Sequence, residues 1–326
     1  SIGTGSSLVV DRSVELVMGS PASGPVGGFD VDGALNLAGD SQQRLVARGN
    51  DPAAGRWAGI RFGPNASQQI QLINVEIRDA ELAVDVDTPS SLFVSDSDLH
   101  DNGTALRVIG STAPRVLQGS VVRGNGVGIV LAGADATMTG LRIHHNTVGV
   151  RCEGDSDPRI RDSYLYANTT GLTTLDALAI PDLGRAGDPG NNRFVAPNSQ
   201  GVTTANDIHL ALVAPSRDVY AQYNWWGTTK TKAIQSRIVV ASTGGVTGQV
   251  LFTPLLMQDP ATGGGWKTAS DPKIASVVDG FAVFLRSRLA GGSTVFEFRL
   301  PGAGRVELDV FDLRGRRVRT LVSETL

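Results

Sequence analysis

Apolar and polar positions alternate in short runs along most of the chain, and the runs recur at a nearly constant interval. Four of them follow an Asn: Thr104-Ala105-Leu106-Arg107-Val108 after Asn102, Val127-Gly128-Ile129-Val130-Leu131 after Asn125, Val148-Gly149-Val150-Arg151-Cys152 after Asn146, and Thr170-Gly171-Leu172-Thr173-Thr174 after Asn168. The Asn positions step by 23, 21 and 22 residues, and a fixed period of this size marks a solenoid. The frame extends back one coil, with Ala80 in the Asn column before Leu82-Ala83-Val84-Asp85-Val86, and Trp57–Phe62 reads as the strand one coil earlier. Before Trp57 the pattern blurs.

A second strand precedes the Asn in each period, with Ile77, Leu99, Val122, Ile143 and Leu165 as its inward apolar position, always three residues before the Asn column. Periods this short leave no room for a helix, a strand and their loops. They predict short period-2 strands broken by Gly, Asn and Asp turns. Parallel stacking at about 4.8 Å turns equivalent residues into columns. An Asn in such a column can sit in the tight turn, tolerate a left-handed backbone, and hydrogen-bond to the Asn above and below. Asn102, Asn125, Asn146 and Asn168 are therefore read as a structural ladder, with ligation of a bound metal as the alternative.

With these residues the chain resembles the right-handed parallel β-helix proteins, a fold shared by pectate lyases, other polysaccharide-processing enzymes and many secreted bacterial surface proteins. The resemblance covers roughly residues 50 to 257. It implies an all-β chain; it does not choose among enzyme, binder and spacer, because one scaffold hosts all three.

Composition agrees. The chain of 326 residues holds 40 Gly, with 19% charged and 6% aromatic residues, which suits a thin solenoid of many turns. A net charge of −3 supplies no global basic field, so nucleic acid is not an expected partner. The single cysteine, Cys152, falls at an inward strand position and reads as a small buried hydrophobe; one cysteine allows neither an internal disulfide nor a multi-Cys metal site. No metal or cofactor is expected, Ca²⁺ excepted if the protein is a lyase. There is no apolar run long enough to span a bilayer. The chain starts at Ser1-Ile2-Gly3 without an initiating Met or signal peptide, as a fragment or processed form would.

After Thr174 the repeat relaxes into Gly187-Asp188-Pro189-Gly190-Asn191-Asn192-Arg193-Phe194, followed by Asn206-Asp207-Ile208 and Ala221-Gln222-Tyr223-Asn224-Trp225-Trp226-Gly227. This order, ending in Phe252-Thr253-Pro254-Leu255-Leu256, is similar to the closing coils of secreted bacterial β-helix proteins. Trp225 and Trp226 are read as end caps that cover the last coil's apolar interior, with sugar stacking as the alternative.

The expected boundaries are a β-helix over 1–257, a Gly/Pro-rich linker over 258–273, and a C-terminal module over 274–326. In that module Ser293–Pro301 and Gly304–Val322 alternate as antiparallel strands, with Asp312-Leu313-Arg314-Gly315 as a hairpin turn. The stretch Leu300–Leu321 is similar to the Ig-like domain of flagellar hook-capping proteins and to type IX secretion sorting domains. It lacks that family's later strands and is read as partial. The resemblance implies export and a place at the bacterial cell surface.

Two outward columns carry candidate chemistry. After the Asn the column reads Arg61, Asp85, Arg107, Val130, Arg151, Thr173, whose first three members alternate in charge as cross-strand ion pairs do. Before it, Arg78, His100, Arg123, His144 and Tyr166, flanked by Glu76, Asp98, Val121, Arg142 and Tyr164, form a basic stripe that could follow an anionic polysaccharide, Arg binding carboxylates and Tyr packing on sugar rings. Arg107 and Arg151 complete the carbohydrate-contact set, and a plain solvated face is the alternative. No pair of facing carboxylates and no cation-holding acid cluster beside a base stands out, so no catalytic residue is named. His144 and His145 point differently by alternation and are not read as joint metal ligands. The expectation is a monomeric, non-catalytic surface scaffold for an extracellular polysaccharide or cell-surface component. A polysaccharide lyase or glycoside hydrolase, and a spacer or adhesin without a small ligand, are the alternatives.

Overall fold

The computed structural model describes residues 1–4, 7–10, 15–18, 27–39, 43–50, 57–66, 69–111, 113–195, 208–241, 248–260, 282–287, 294–299, 305–311 and 317–325. The chain divides into two compact units, Ser1–Lys267 and Thr268–Leu326.

In the first unit most coils contribute three strands. In the coil that holds Asn102 they are Ser91–Ser95, Asp98–His100 and Thr104–Ser111. Every strand pairs in parallel with its counterpart one coil away, so first, second and third strands form sheets of seven, eight and nine strands. The result is a parallel β-helix with three outer faces. Its interior is apolar: Leu92, Leu99, Leu106 and Val108 of one coil are all at most 2% exposed. Cys152 lies in this interior, where burial pushes its thiol pKa up and leaves it inert.

The first strand of each coil went unread in the sequence because no Asn or Gly marks it. By Thr137–Thr139 and Arg159–Arg161 it has shrunk to one inward apolar residue, Met138 or Ile160. The blurred region before Trp57 is also β-helix. Ser7–Val10 pairs with Ala34–Ala38, Glu15–Met18 with Leu45–Gly49, and Gly28–Val31 with Gly59–Phe62. Longer connections stretch the step there to 31 residues between Gly28 and Gly59, which hides the period.

The Asn column is a continuous chain of buried amides. Asn102 Nδ2 donates to Asn125 Oδ1 at 3.1 Å, Asn125 Nδ2 to Asn146 Oδ1 at 2.9 Å, and Asn146 Nδ2 to Asn168 Oδ1 at 3.0 Å. The left-handed residue of each turn is the one before the ladder position, not the Asn itself: Asp79, Asp101, Gly124, His145 and Ala167, with φ from +53° to +65°. A second polar column occupies the corner between first and second strands. There Ser97 and Ser120 accept the N–H groups of Val75 and Ser97, and Asn192 and Asn224 accept those of Ser163 and Asn192.

In the second unit Ala282–Ser287 pairs antiparallel with Thr294–Arg299, and Arg305–Phe311 with Arg317–Thr325. The turn Asp312–Gly315 and residues 261–273 of the linker segment lie outside the described residues.

Candidate functional site on the eight-stranded sheet

Register places Glu76, Asp98, Val121, Arg142, Tyr164, Arg193 and Trp225 in one outward column of the eight-stranded sheet. Arg78, His100, Arg123, His144 and Tyr166 form the next.

The N-terminal part of this face is neutralised by its own carboxylates. Arg78 contacts Glu76 at 3.1 Å and Asp79 at 2.7 Å. Arg123 reaches Asp98 with two nitrogens, at 3.2 and 3.1 Å, and Arg44 meets the same carboxylate at 3.3 Å. His100 lies between Glu76 at 3.3 Å and Asp101 at 2.7 Å, one carboxylate on each ring nitrogen. Burial works against its charge, but the bonds to Glu76 and Asp101, with Asp98 beyond, outweigh it and raise its pKa. The hydrogen bond from His100 in turn lowers the pKa of Glu76. With both nitrogens engaged, His100 is a bridge between coils and has no site left for a substrate proton. The basic stripe read from the sequence is thus an ion-pair lattice over Arg78, His100 and Arg123, because Glu76 and Asp98 of the flanking column, with Asp79 and Asp101, reach across to it.

Arg107 and Arg151, on the outer face of the nine-stranded sheet, are paired as well. Arg107 grips Asp85 with two nitrogens at 2.9 and 2.7 Å, and Arg151 holds Glu153 at 2.7 Å. Arg61 approaches Asp85 at 3.9 Å from the other side.

Toward the C-terminal end the same face becomes aromatic. Tyr164 and Tyr166 stack at 4.0 Å between ring centroids, His144 stacks on Tyr166 at 4.5 Å, and the Arg193 guanidinium lies 3.9 Å over Tyr164. Two near-parallel groups so close to one ring cannot share a face without overlapping. Both faces of each tyrosine are therefore covered, and the expected packing of Tyr164 or Tyr166 on a sugar ring is corrected to presentation of ring edges and hydroxyls. Burial raises both phenol pKa values, so the hydroxyls stay protonated.

His144 and His145 do not diverge, contrary to the alternation. The left-handed backbone of His145, φ +56°, swings its ring back until the two Nδ1 atoms are 2.7 Å apart. Burial, then the charges of His145, Arg123 and Arg142, lowers the pKa of His144 to about 4. Those arginines also disfavour a cation there. Among the described residues no group of three or more His, Cys, Asp or Glu side chains could hold a metal ion.

The two tryptophans separate. Trp226 is 1% exposed and stacks on Phe194 at 4.5 Å inside the last coils, with Phe252 edge-on at 6.2 Å. Trp225 pairs with Arg193 on the outer column and is half-buried, so the shared capping role is corrected for this residue. Among the described residues no ring or guanidinium stacks on its indole. The alternation of Trp225 and Trp226 at the end of a β-helix could have revealed this split in the sequence.

Residues 58–206 match a family model described as a right handed beta helix region. The fold is a right-handed parallel β-helix. No curated protein and no solved structure matches the chain. Among the described residues of this β-helix repeat protein, no helix is long and apolar enough to cross a membrane.

Proposed function

We propose that the β-helix is a non-catalytic binding scaffold for an extracellular carbohydrate, engaged on the outer face of the eight-stranded sheet from His144 to Trp225. The observation that carries this reading is the column Tyr164–Arg193–Trp225, in which an indole without a stacking partner among the described residues stands in register beside an immobilised arginine and two tyrosine edges. An aromatic face can cover the apolar side of a pyranose. Arg142, Tyr164 and Tyr166 add donors for acidic or hydroxyl groups. The mutual stacking of His144, Tyr166, Tyr164 and Arg193 holds these groups in place before a ligand arrives, which reduces the entropy lost on binding.

The paired charges over Arg78, His100 and Arg123 favour a division of labour along the same face, with the N-terminal coils acting as a spacer that positions the aromatic end. Both roles fit a protein exported to the bacterial cell surface. The similarity of Leu300–Leu321 to sorting modules supports that location, with the second unit as a partial Ig-like attachment domain.

Binding to an immobilised panel of neutral and acidic polysaccharides, with the spent ligands examined for shortened chains, tests the reading. Retention without shortening is expected. Shortened chains would replace it with a lyase or hydrolase, and silence across the panel would leave the spacer alone.

A further inference from the structure

An inward position of the seven-stranded sheet carries a charge. Its column runs Ile70, Leu92, Arg115, and the same register brings Ala136 next. Ile70, Leu92 and Ala136 belong to the apolar core, whereas Arg115 brings a guanidinium to the same depth and is 2% exposed. Its Nη2 donates to the Thr88 carbonyl at 2.7 Å. Among the described residues its Nε and Nη1 have no hydrogen-bond partner. Burial lowers its pKa and no neighbouring acid offsets that, yet a guanidinium keeps its proton inside a protein. Arg161, buried as deeply, is instead held by two carboxylates, Asp182 and Asp188. A buried cation with neither counter-charge nor full hydrogen bonding is strongly unfavourable.

We propose that Arg115 holds a small monovalent anion, chloride in the simplest case, beside Thr88 at the corner where a third strand turns into the first strand of the next coil. Charge selects an anion over water, because a water completes hydrogen bonds but leaves the cation uncompensated. The donor count selects a small one. Ser90 Oγ donates to the Ala66 carbonyl at 3.0 Å, so the Thr88 hydroxyl, 3.0 Å away, gives its proton to Ser90 Oγ. Both buried hydroxyls are thereby spent, and Nε and Nη1 remain as the donors. A sulfate or phosphate would bring oxygens without donors and a second negative charge without a cation. Chloride brings one charge and accepts from a few N–H groups. Thr88 lies one coil before Arg115, so the ion completes a tie between successive coils. The site is interior and independent of any ligand on the outer face of the eight-stranded sheet. Because the unfolded chain has no such site, chloride shifts the folding equilibrium toward the β-helix.

Thermal unfolding of the full chain is followed by circular dichroism in sodium chloride and in sodium gluconate at equal ionic strength, alongside Arg115→Leu. The unchanged protein should melt about 2–4 °C higher in chloride. The difference should vanish in Arg115→Leu, which restores the apolar residue that Leu92 supplies one coil earlier and should melt no lower than the unchanged protein in gluconate. General effects of the two salts on folding would shift both proteins alike. Crystals of the unchanged protein grown in sodium bromide give a second reading that does not depend on the variant's folding: an anomalous peak is expected within hydrogen-bond distance of Arg115 Nε or Nη1. The proposal is overturned by equal midpoints in the two salts, by a chloride effect that persists in Arg115→Leu, or by the absence of bromide at Arg115.

Discussion

Asn146 Oδ1 accepts two hydrogen bonds from Asn125, one from the backbone N–H and one from the side-chain amide, each 2.9 Å long. One oxygen thereby satisfies a buried turn and ties two coils together. Asn125 serves Asn102 in the same way and donates to the Leu99 carbonyl at 3.0 Å.

Asn125→Ala should consequently strand the Asn102 N–H inside the stack and remove the side-chain bonds to Asn102, Asn146 and the Leu99 carbonyl. A buried group left unpaired costs about 1–3 kcal/mol, so a loss of several kcal/mol is expected in urea unfolding. A loss below about 0.5 kcal/mol, the range of an ordinary surface change, would mean that the ladder bears little of the coil stacking.

Acid should destabilise the β-helix before its carboxylates titrate. Burial, then the charge of Arg237, lowers the pKa of His209 to about 3, and among the described residues its Nε2 has no hydrogen-bond partner. The unfolded chain takes up that proton near pH 6.5, so between about pH 6.5 and 3 the unfolded state binds more protons and stability falls with pH. The limiting slope is about 1.4 kcal/mol per pH unit. His144 acts in the same direction. His100, whose pKa is raised, contributes stability below the unfolded value that is lost as pH rises through the folded one. Urea midpoints at pH 7 and pH 5 should converge in His209→Ala relative to the unchanged protein, whatever its absolute stability; an unchanged difference would contradict the assignment.

Arg161, with a side chain 3% exposed, is held by Asp182 at 2.8 Å and Asp188 at 2.6 Å. Arg159 holds Asp188 from a position 42% exposed. Arg161→Met removes the buried partner and leaves Asp182 and Asp188 only the exposed Arg185 and Arg159, so it should cost about 1.5–3 kcal/mol. Arg159→Ala should cost no more than about 1 kcal/mol. Equal effects in thermal unfolding would show that burial does not separate the two arginines.

The coil period, the Asn column and the inward positions were legible in the sequence because each is a local mark repeated by a chain that stacks on itself. Ile77, Leu99, Val122, Ile143 and Leu165 are all buried to 2% exposure or less. Relations across columns were not legible. The sequence sets Glu76 and Asp98 beside the stripe, but that they and Asp101 neutralise Arg78, His100 and Arg123 depends on side-chain reach. Nor does strict alternation anticipate the left-handed backbone that brings His145 onto His144. The stack from His144 to Arg193 likewise spans three coils with connections of unequal length, and its closed ring faces exist only once those coils are in register.

The most direct test of the binding face is the affinity of the folded protein for the acidic polysaccharide that it retains best, compared with Trp225→Ala in titration calorimetry. A well-formed aromatic contact is worth about 0.5–1.5 kcal/mol beyond its buried area, so binding should weaken about ten-fold while the melting midpoint holds. Equal affinity in the two proteins would contradict a ligand site on the Tyr164–Arg193–Trp225 column.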